Sequence, residues 1–453
     1  MKYASKIIVV GGNAAGPAAA AKAKRANPES EVIMFEQSGF ISTGTCELPY
    51  LLSGVIEDYK KIVFYDELSF FNEKGVKVYV NHQVEDISRK EKTIFVRNLT
   101  DNNIYKFEYD KLILATGSSA VIPFDLSGGY TNVFSFKSIL DVIKIKETMK
   151  NSRLKKVGII GSGYIGLETA EAFKNLGFEV FIVDKEPQPF PSSGKEIREL
   201  VRNILTTNGI DFFQTNTLQF VKKDDKVKSV KINGKSIEVD LLVYAAGIRP
   251  NNHLALKCGL ETGISGAIKV NKKLQTSDTS IYAAGDSIEV MNFITKRPDY
   301  IPLATIAHKT GHIAGENAAG GNSFFEPVVK NISVKIFNRF YASCGLTETE
   351  AMNNRYAYSV VSSSTVNLIK VMPGSENVYG KIVFEKNSNK VLGAEFFGGK
   401  EISGYSDMIS LMIKNNIPVT NLGEMEFNYT PPLSPFINLL SILGRKSKEI
   451  NRK

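Results

Sequence analysis

Two glycine-rich turns, each set between a short apolar run and a helix-forming stretch, restrict this chain to a fold built on strand–helix–strand units. The first reads Gly11-Gly12-Asn13-Ala14-Ala15-Gly16 after Ile7-Ile8-Val9-Val10. An alanine-rich helix over 18–26 follows, then a strand over 32–35 that ends in Glu36. The second reads Gly161-Ser162-Gly163-Tyr164-Ile165-Gly166, with a helix over 167–176 and a strand over 180–183 ending in Asp184. Glycines let a backbone approach a pyrophosphate at a helix N-terminus, where free N–H groups and the helix dipole favour anions. An acid at the end of the second strand is placed to hold ribose hydroxyls. Glu36 lies twenty residues, and Asp184 eighteen, after the last glycine of its turn. The second turn carries the full G-x-G-x-x-G pattern; the first has Asn13 in place of the middle glycine. Gly11, Gly12, Ala14, Ala15, Gly16 and Glu36 are therefore expected to hold one dinucleotide. Gly161, Gly163, Tyr164, Ile165, Gly166 and Asp184 are expected to hold another. Asp184 favours NADH, since a carboxylate repels a 2′-phosphate, and Lys185 beside it leaves NADPH open.

Two nucleotide sites imply two cofactors, and the natural pair is a bound flavin, FAD, with a diffusing nicotinamide. Leu112-Ile113-Leu114-Ala115-Thr116-Gly117 and Leu242-Val243-Tyr244-Ala245-Ala246-Gly247 read as strands ending in small-residue turns. Such turns let the chain cross between domains near the cofactors, which makes Ala115, Thr116, Gly117 and Gly247 candidate contacts. Ser280-Ile281-Tyr282-Ala283-Ala284-Gly285-Asp286 is a further strand ending in an acid. Between the two glycine units lies Ser42-Thr43-Gly44-Thr45-Cys46-Glu47-Leu48-Pro49-Tyr50, a short turn where a flavin ring can lie against one cysteine. Ser42 joins the cofactor candidates there.

With 453 residues the chain is too long for one core, and two or three domains are expected. The apolar content is 43%, ordinary for a globular protein, and no run reaches 18 apolar residues, so no membrane span is expected. No signal-peptide pattern opens the chain. Cys46, Cys258 and Cys344 lie far apart and the four histidines are scattered, so neither a disulfide framework nor a metal site is expected. That cysteine usage fits a reducing cytoplasm. The net charge of +9 favours anionic ligands without naming one. The basic clusters at Lys22, Lys24 and Arg25, at Lys60 and Lys61, and in the tail from Arg445 read as solvated faces and a loose end. No basic stretch is interleaved with stacking aromatics, so nucleic-acid binding is not expected.

The order of these motifs resembles, along essentially the whole chain, the flavoprotein pyridine nucleotide-disulfide oxidoreductases. The resemblance implies an α/β chain with two Rossmann-like dinucleotide-binding domains and a C-terminal α+β dimerisation domain. A split FAD domain would cover 1–118 and 252–325, an NAD(P)H domain 119–251, and the dimerisation domain 326–453. It also implies that Gly285 and Asp286 hold the flavin ribityl chain, and that Leu303, Ala304 and Thr305 start a helix beneath the flavin's pyrimidine end. Glutathione and lipoamide reductases carry C-x-x-x-x-C; here Cys46 stands alone in S-x-x-x-C-x-L-P-Y. That is similar to the single-cysteine branch: coenzyme A-disulfide reductases, NADH oxidases, NADH peroxidases and persulfide or sulfur reductases. Tyr429-Thr430-Pro431-Pro432-Leu433-Ser434 resembles the Y-x-P-P-x-S signature of coenzyme A-disulfide reductases and NADH oxidases, implying a homodimer in which Tyr429 serves the partner's site. Ala14 stands where peroxidases carry a histidine, which counts against hydrogen peroxide as substrate. Val371-Met372-Pro373-Gly374 replaces the Y-Y-P-G of coenzyme A-disulfide reductases, and Glu47 replaces the usual small residue.

Cys46 and Tyr429 are thus the expected catalytic pair, nucleophile and general acid. Tyr164 is expected to gate the nicotinamide and Glu168 to face the flavin–nicotinamide junction. Lys22, Arg25 and Tyr50 are expected to receive a small thiol or disulfide, coenzyme A first. The run 48–52 is expected to begin a helix at Cys46 and so lower its thiol pKa. Three readings stand: a disulfide or persulfide reductase, an NADH oxidase reducing oxygen, and a flavin redox sensor whose turnover is incidental.

Overall fold

Ile7, Ile8 and Val9 are fully buried, with a parallel strand on either side. A strand covered on both faces has no wet side, which is why that run is continuously apolar and does not alternate. The structure, a computed structural model, describes residues 5–122, 126, 129–150 and 153–450.

Lys6–Val10 lies at the centre of a parallel five-stranded sheet, ordered Ile281–Ala283, Lys111–Leu114, Lys6–Val10, Glu31–Phe35, Lys77–Tyr79. Lys156–Ile160 repeats the plan in a second parallel sheet, ordered Val133–Ser135, Leu241–Tyr244, Lys156–Ile160, Glu179–Asp184, Asp211–Gln214. The strand Ile281–Ala283, far along the chain, returns to complete the first sheet. Two short antiparallel strands, Ser118–Ala120 and Ile248–Pro250, carry the chain across between the sheets side by side. The third sheet is antiparallel: Asn331–Ile336, Arg339–Gly345, Val391–Gly398, Asn377–Glu385, Tyr358–Val366. Helices Ile402–Lys414 and Leu439–Ile450 share its apolar core. No described helix is long and apolar enough to cross a membrane.

Three expectations need correction. The two glycine helices run Ala15–Ala26 and Tyr164–Asn175, starting three residues earlier than their apolar runs suggest. Gly16 and Gly166 belong to the first turn of each helix, where a Cβ would stand 1.8 Å from Gly11 O and 2.0 Å from Gly161 O. The basic C-terminus is no loose end as far as Ile450, because Leu439, Leu440 and Leu443 anchor a helix into the third core; residues 451–453 lie outside the described residues.

The first glycine helix packs on Ala304–Ala318 through Gly311 and Gly315, whose absent side chains let the backbones touch. A Cβ at Gly315 would meet Ala19 O at 2.1 Å. Glycine-to-alanine changes in helices ordinarily gain about 1 kcal/mol, but overpacking costs about 1–3 kcal/mol, and a backbone oxygen cannot move aside. Gly315→Ala should therefore lower stability by about 2 kcal/mol in urea unfolding. Gly404→Ala, in a helix where a Cβ meets nothing within 4 Å, should be neutral or stabilising by up to about 1 kcal/mol.

Candidate functional site

Three helices of the described chain close their own N-termini with a full capping box: Glu67–Lys74, Ile139–Met149 and Glu348–Asn353. The two glycine helices and Ala304–Ala318 do the opposite. Their N-caps are Ala14, Gly163 and Leu303, none makes a side-chain cap bond, and no acid stands in any first turn. Orphan N–H groups at a helix start need an acceptor, and here the chain supplies none from its side chains. A Cβ at Gly163, Gly117 or Gly247 would meet nothing within 4 Å, so backbone faces open space at each. These features fit a dinucleotide at each cradle and electron-rich ring atoms at the third helix, whose first residues Ala304 and Thr305 are exposed.

The two acids that end the second strands are held alike. Glu36 accepts from the Gly12 N–H at 2.7 Å and the Ser38 N–H at 2.8 Å. Asp184 accepts from the Ser162 N–H at 2.7 Å, the Ser162 hydroxyl at 2.6 Å and the Glu186 N–H at 3.0 Å. Each acid is fixed by the second residue of its own turn. Lys185 is exposed beside Asp184. On the crossover, Thr116 and Asn251 bond reciprocally, hydroxyl to carbonyl at 2.7 Å and amide to carbonyl at 2.8 Å. Ala115, Thr116, Gly117 and Gly247 thus lie where the chain crosses between the two cradles. Gly285 presents Asp286, whose carboxylate accepts from Ser118 at 2.8 Å and faces Lys137 at 3.3 Å.

The Cys46 turn is strung between these halves. At one end the Ser42 N–H donates to Gly12 O at 2.8 Å, and the Thr43 N–H and hydroxyl donate to Asn13 Oδ1 at 3.2 and 3.1 Å. Asn13, the departure from the glycine pattern, is the residue that ties the cysteine turn to the first cradle. Ser42 takes φ 50° to make the bend. At the other end Leu48, Leu51 and Leu52 enter the core of the second sheet. Cys46 between them is exposed.

The electrostatics correct the expected activation of that thiol. The helix after Cys46 is one turn, Leu48–Leu52, with Glu47 as its N-cap, too short to lower the pKa against the charges around it. Partial burial first, then Glu47, Glu168 and Asp286, push the Cys46 thiol up, with Lys137 alone opposing. Glu47 folds back over Gly44. Burial and Glu171, opposed by Lys335, raise the Glu168 carboxyl to about 7. Tyr50 is half-buried in the same field, its phenol raised by burial and then by Glu168 and Glu171. Lys137 carried no sequence signal: a lysine before a capping serine reads as surface.

The remaining candidates are spread. Tyr164 is packed, edge-on to Phe190 at 5.2 Å and tilted against Tyr341 at 6.5 Å, so its ring is parked against the third sheet. Ile165 is half-buried on the same turn. Lys22 pairs with Glu316 at 3.0 Å and Arg25 contacts His312 Nε2 at 2.8 Å; the cluster is a helix–helix contact as well as a basic face, not a set of free cations. Tyr429 is 45% exposed and edge-on to Phe436 at 5.3 Å, beside Leu433 and Phe436 at 74% and 75% exposure. Among the described residues, none of the charged groups that act most on Cys46 comes from the third sheet's domain. A cleft of about 1350 Å³ opens among Glu171, Lys335, Arg339 and Tyr379, but it includes neither Cys46 nor either cradle and carries no part of this chemistry.

Glu168 supplies a pH test. A carboxyl raised from 4.5 to about 7 on folding costs stability once ionised, so its penalty is absent below pH 4.5 and grows as pH rises to 7. In the cofactor-free chain Glu168→Gln should match wild type at pH 4.5 and exceed it in thermal stability at pH 8. Alkylation of Cys46 at pH 8 should speed up in Glu168→Gln and Glu47→Gln and slow down in Lys137→Met.

Comparison with known proteins agrees with this geometry. The pyridine nucleotide-disulphide oxidoreductase profile matches residues 5–311, and that family's dimerisation domain matches 332–439. A protein named NAD(P)H sulfur oxidoreductase (CoA-dependent), from Pyrococcus abyssi, is 32% identical over 99% of this chain and 99% of its own length. A protein named NADH oxidase, from Methanocaldococcus jannaschii, is 30% identical over 99% of this chain and all of its own. The solved NAD-dependent persulfide reductase from A. fulgidus superimposes with a TM-score of 0.94 at 31% identity, covering 99% of this chain and 83% of that one. On the strength of these matches the chain belongs to the pyridine nucleotide-disulphide oxidoreductase family.

Proposed function

We propose that this protein is an FAD-dependent enzyme that passes electrons from NAD(P)H through Cys46 to a small disulfide or persulfide, that of coenzyme A first. The observation that carries the reading is the lone, exposed Cys46 on a turn anchored to both cradles. When bound, FAD accepts the hydride of NAD(P)H and supplies two electrons to sulfur. In the resting state Cys46 holds one partner thiol as a mixed disulfide. Two electrons release that thiol and leave the Cys46 thiolate. The thiolate attacks one sulfur of the next R–S–S–R, forming a new mixed disulfide and expelling RS⁻. Reduction of this new mixed disulfide expels the other RS⁻ and restores the Cys46 thiolate, so after the first priming reduction each R–S–S–R consumes one NAD(P)H and one proton and yields two RSH. Lys137 opposes the surrounding carboxylates when Cys46 carries charge. Tyr429, from the partner subunit, protonates the leaving thiolate.

The matched dimerisation domain makes the assembly a homodimer, and the exposed patch of Tyr429, Leu433 and Phe436 is the surface such a dimer would cover. We assign FAD to 1–118 with 252–325, NAD(P)H to 119–251 and dimerisation to 326–453. The return of Ile281–Ala283 to the first sheet supports the split. NADH is preferred to NADPH, on Asp184, and the site of action is the cytoplasm. Lys22 and Arg25 still offer positive charge to coenzyme A phosphates, though each is partly engaged by Glu316 and His312. The second reading is an NADH oxidase, favoured by the likeness to the Methanocaldococcus protein and by the absence of the Y-Y-P-G tyrosines.

Cys46→Ser should retain FAD and its reduction by NADH, while disulfide turnover falls to background, because hydride transfer needs only the cofactors and exchange needs the thiolate. Tyr429→Phe should lower turnover by about 10²-fold, the scale of one acid catalyst. Full turnover in the serine variant would end the mechanism. Measured side by side, reduction of coenzyme A disulfide or persulfide should outrun oxygen consumption at air saturation; the reverse order would establish the oxidase reading.

A further inference from the structure

Glu395, on a strand of the third sheet, is 1% exposed and reaches across to the second cradle's domain. Its Oε1 accepts from the Gly194 N–H at 2.8 Å and the Tyr341 hydroxyl at 3.0 Å, while its Oε2 is buried with no partner. Lys381 is its cross-strand neighbour, but that ammonium is held by Glu196 at 3.1 Å and Glu348 at 2.5 Å and forms no bond to it. Burial keeps the Glu395 carboxyl above its usual range, and its Oε1 serves as a double acceptor.

What it holds is the loop 185–194, which begins at the ribose carboxylate. Tyr341 is fully buried and meets Phe190 edge-on at 4.7 Å; Phe190 meets Tyr164 in the same way at 5.2 Å. Phe190 has φ +61°, a conformation a bulky residue keeps only when its surroundings dictate it, and its N–H donates to Ser162 O at 3.1 Å. Ser162 is the residue that fixes Asp184. One column of contacts therefore runs from Glu395 through Tyr341 and Phe190 to both ends of the cradle: Tyr164 on the nicotinamide side and Ser162 with Asp184 on the ribose side. Gly194 closes it, since a Cβ there would lie 2.8 Å from Glu395 Oε2.

We infer that Glu395 is a positioning residue for NAD(P)H: the third sheet's domain sets nicotinamide affinity by pre-ordering the loop 185–194. The inference rests on the second cradle's being the NAD(P)H site. It predicts an affinity effect without a chemical one. Without the clamp the loop must be ordered at the moment of binding, which weakens binding and spares the bound complex.

Calorimetry of ADP-ribose and NADH binding to the FAD-loaded dimer tests it. Glu395→Ala should weaken both ligands about tenfold, with the limiting rate of flavin reduction at saturating NADH unchanged. Glu395→Gln, which keeps the accepting oxygen, should restore affinity to within about twofold. Tyr341→Phe, which loses one hydroxyl and keeps the ring, should weaken ADP-ribose about threefold and decides the matter if the alanine variant does not fold. Unchanged affinity in a folded Glu395→Ala or in Tyr341→Phe overturns the inference, as does an equal loss in Glu395→Gln. Wild type failing to bind ADP-ribose would instead overturn the assignment of the second cradle.

Discussion

Everything in the site depends on how closely a helix start can approach the strand before it. At Gly11 and Gly161 the backbone takes φ of 109° and 101°, and at Gly16 and Gly166 the helix rests on the oxygens of those two residues. A side chain at Gly16 or Gly166 would push the helix away, and one at Gly11 or Gly161 would meet the backbone of Ala115 or Ala245. The same approach leaves each helix start bare of side-chain caps, and it turns the second residue of the turn, Gly12 or Ser162, toward the acid at the end of the second strand. Close packing, anion affinity and acid placement are thus one constraint expressed three times, and the chain has used it twice.

The Cys46 turn inherits its position from that constraint. It hangs from Asn13 of the first turn and is buried at its far end by leucines in the second core. Its chemistry is set by what surrounds it in space. Three carboxylates outweigh one ammonium, so the isolated chain favours the thiol. A resting mixed disulfide avoids that cost, because it places no charge on sulfur.

Features carried by local sequence were legible, and features carried by long-range contacts were not. Glu36 and Asp184 were readable because each follows its turn by a fixed spacing along one strand–helix–strand unit. The helix starts were misplaced because the first turn, with Ala15 and Gly16, has no apolar periodicity: its position follows from packing on Gly11. Leu48-Pro49-Tyr50-Leu51-Leu52 looked like a helix acting on the thiol through its dipole, yet its role is an anchor, which only the neighbouring core reveals. Lys22 and Arg25 looked free because Glu316 and His312 lie on a helix hundreds of residues away in sequence. Lys137 and Glu395 had no local pattern at all.

The three sheets, two of them bearing a cradle, are joined in different ways. Between the first and second sheets the links are polar at the crossover, Thr116 with Asn251 and Ser118 and Lys137 with Asp286, and apolar where the leucines of the Cys46 turn enter the second core. Between the second and third they are apolar and continuous, since Val334, Ile336, Tyr341 and Phe397 share one core with the second sheet. Opening an apolar core exposes area worth about 25 cal/mol per Å², a cost that polar links do not carry. The second and third sheets share one apolar core, and that continuity places a carboxylate of the third within hydrogen-bond reach of the loop beside the second cradle.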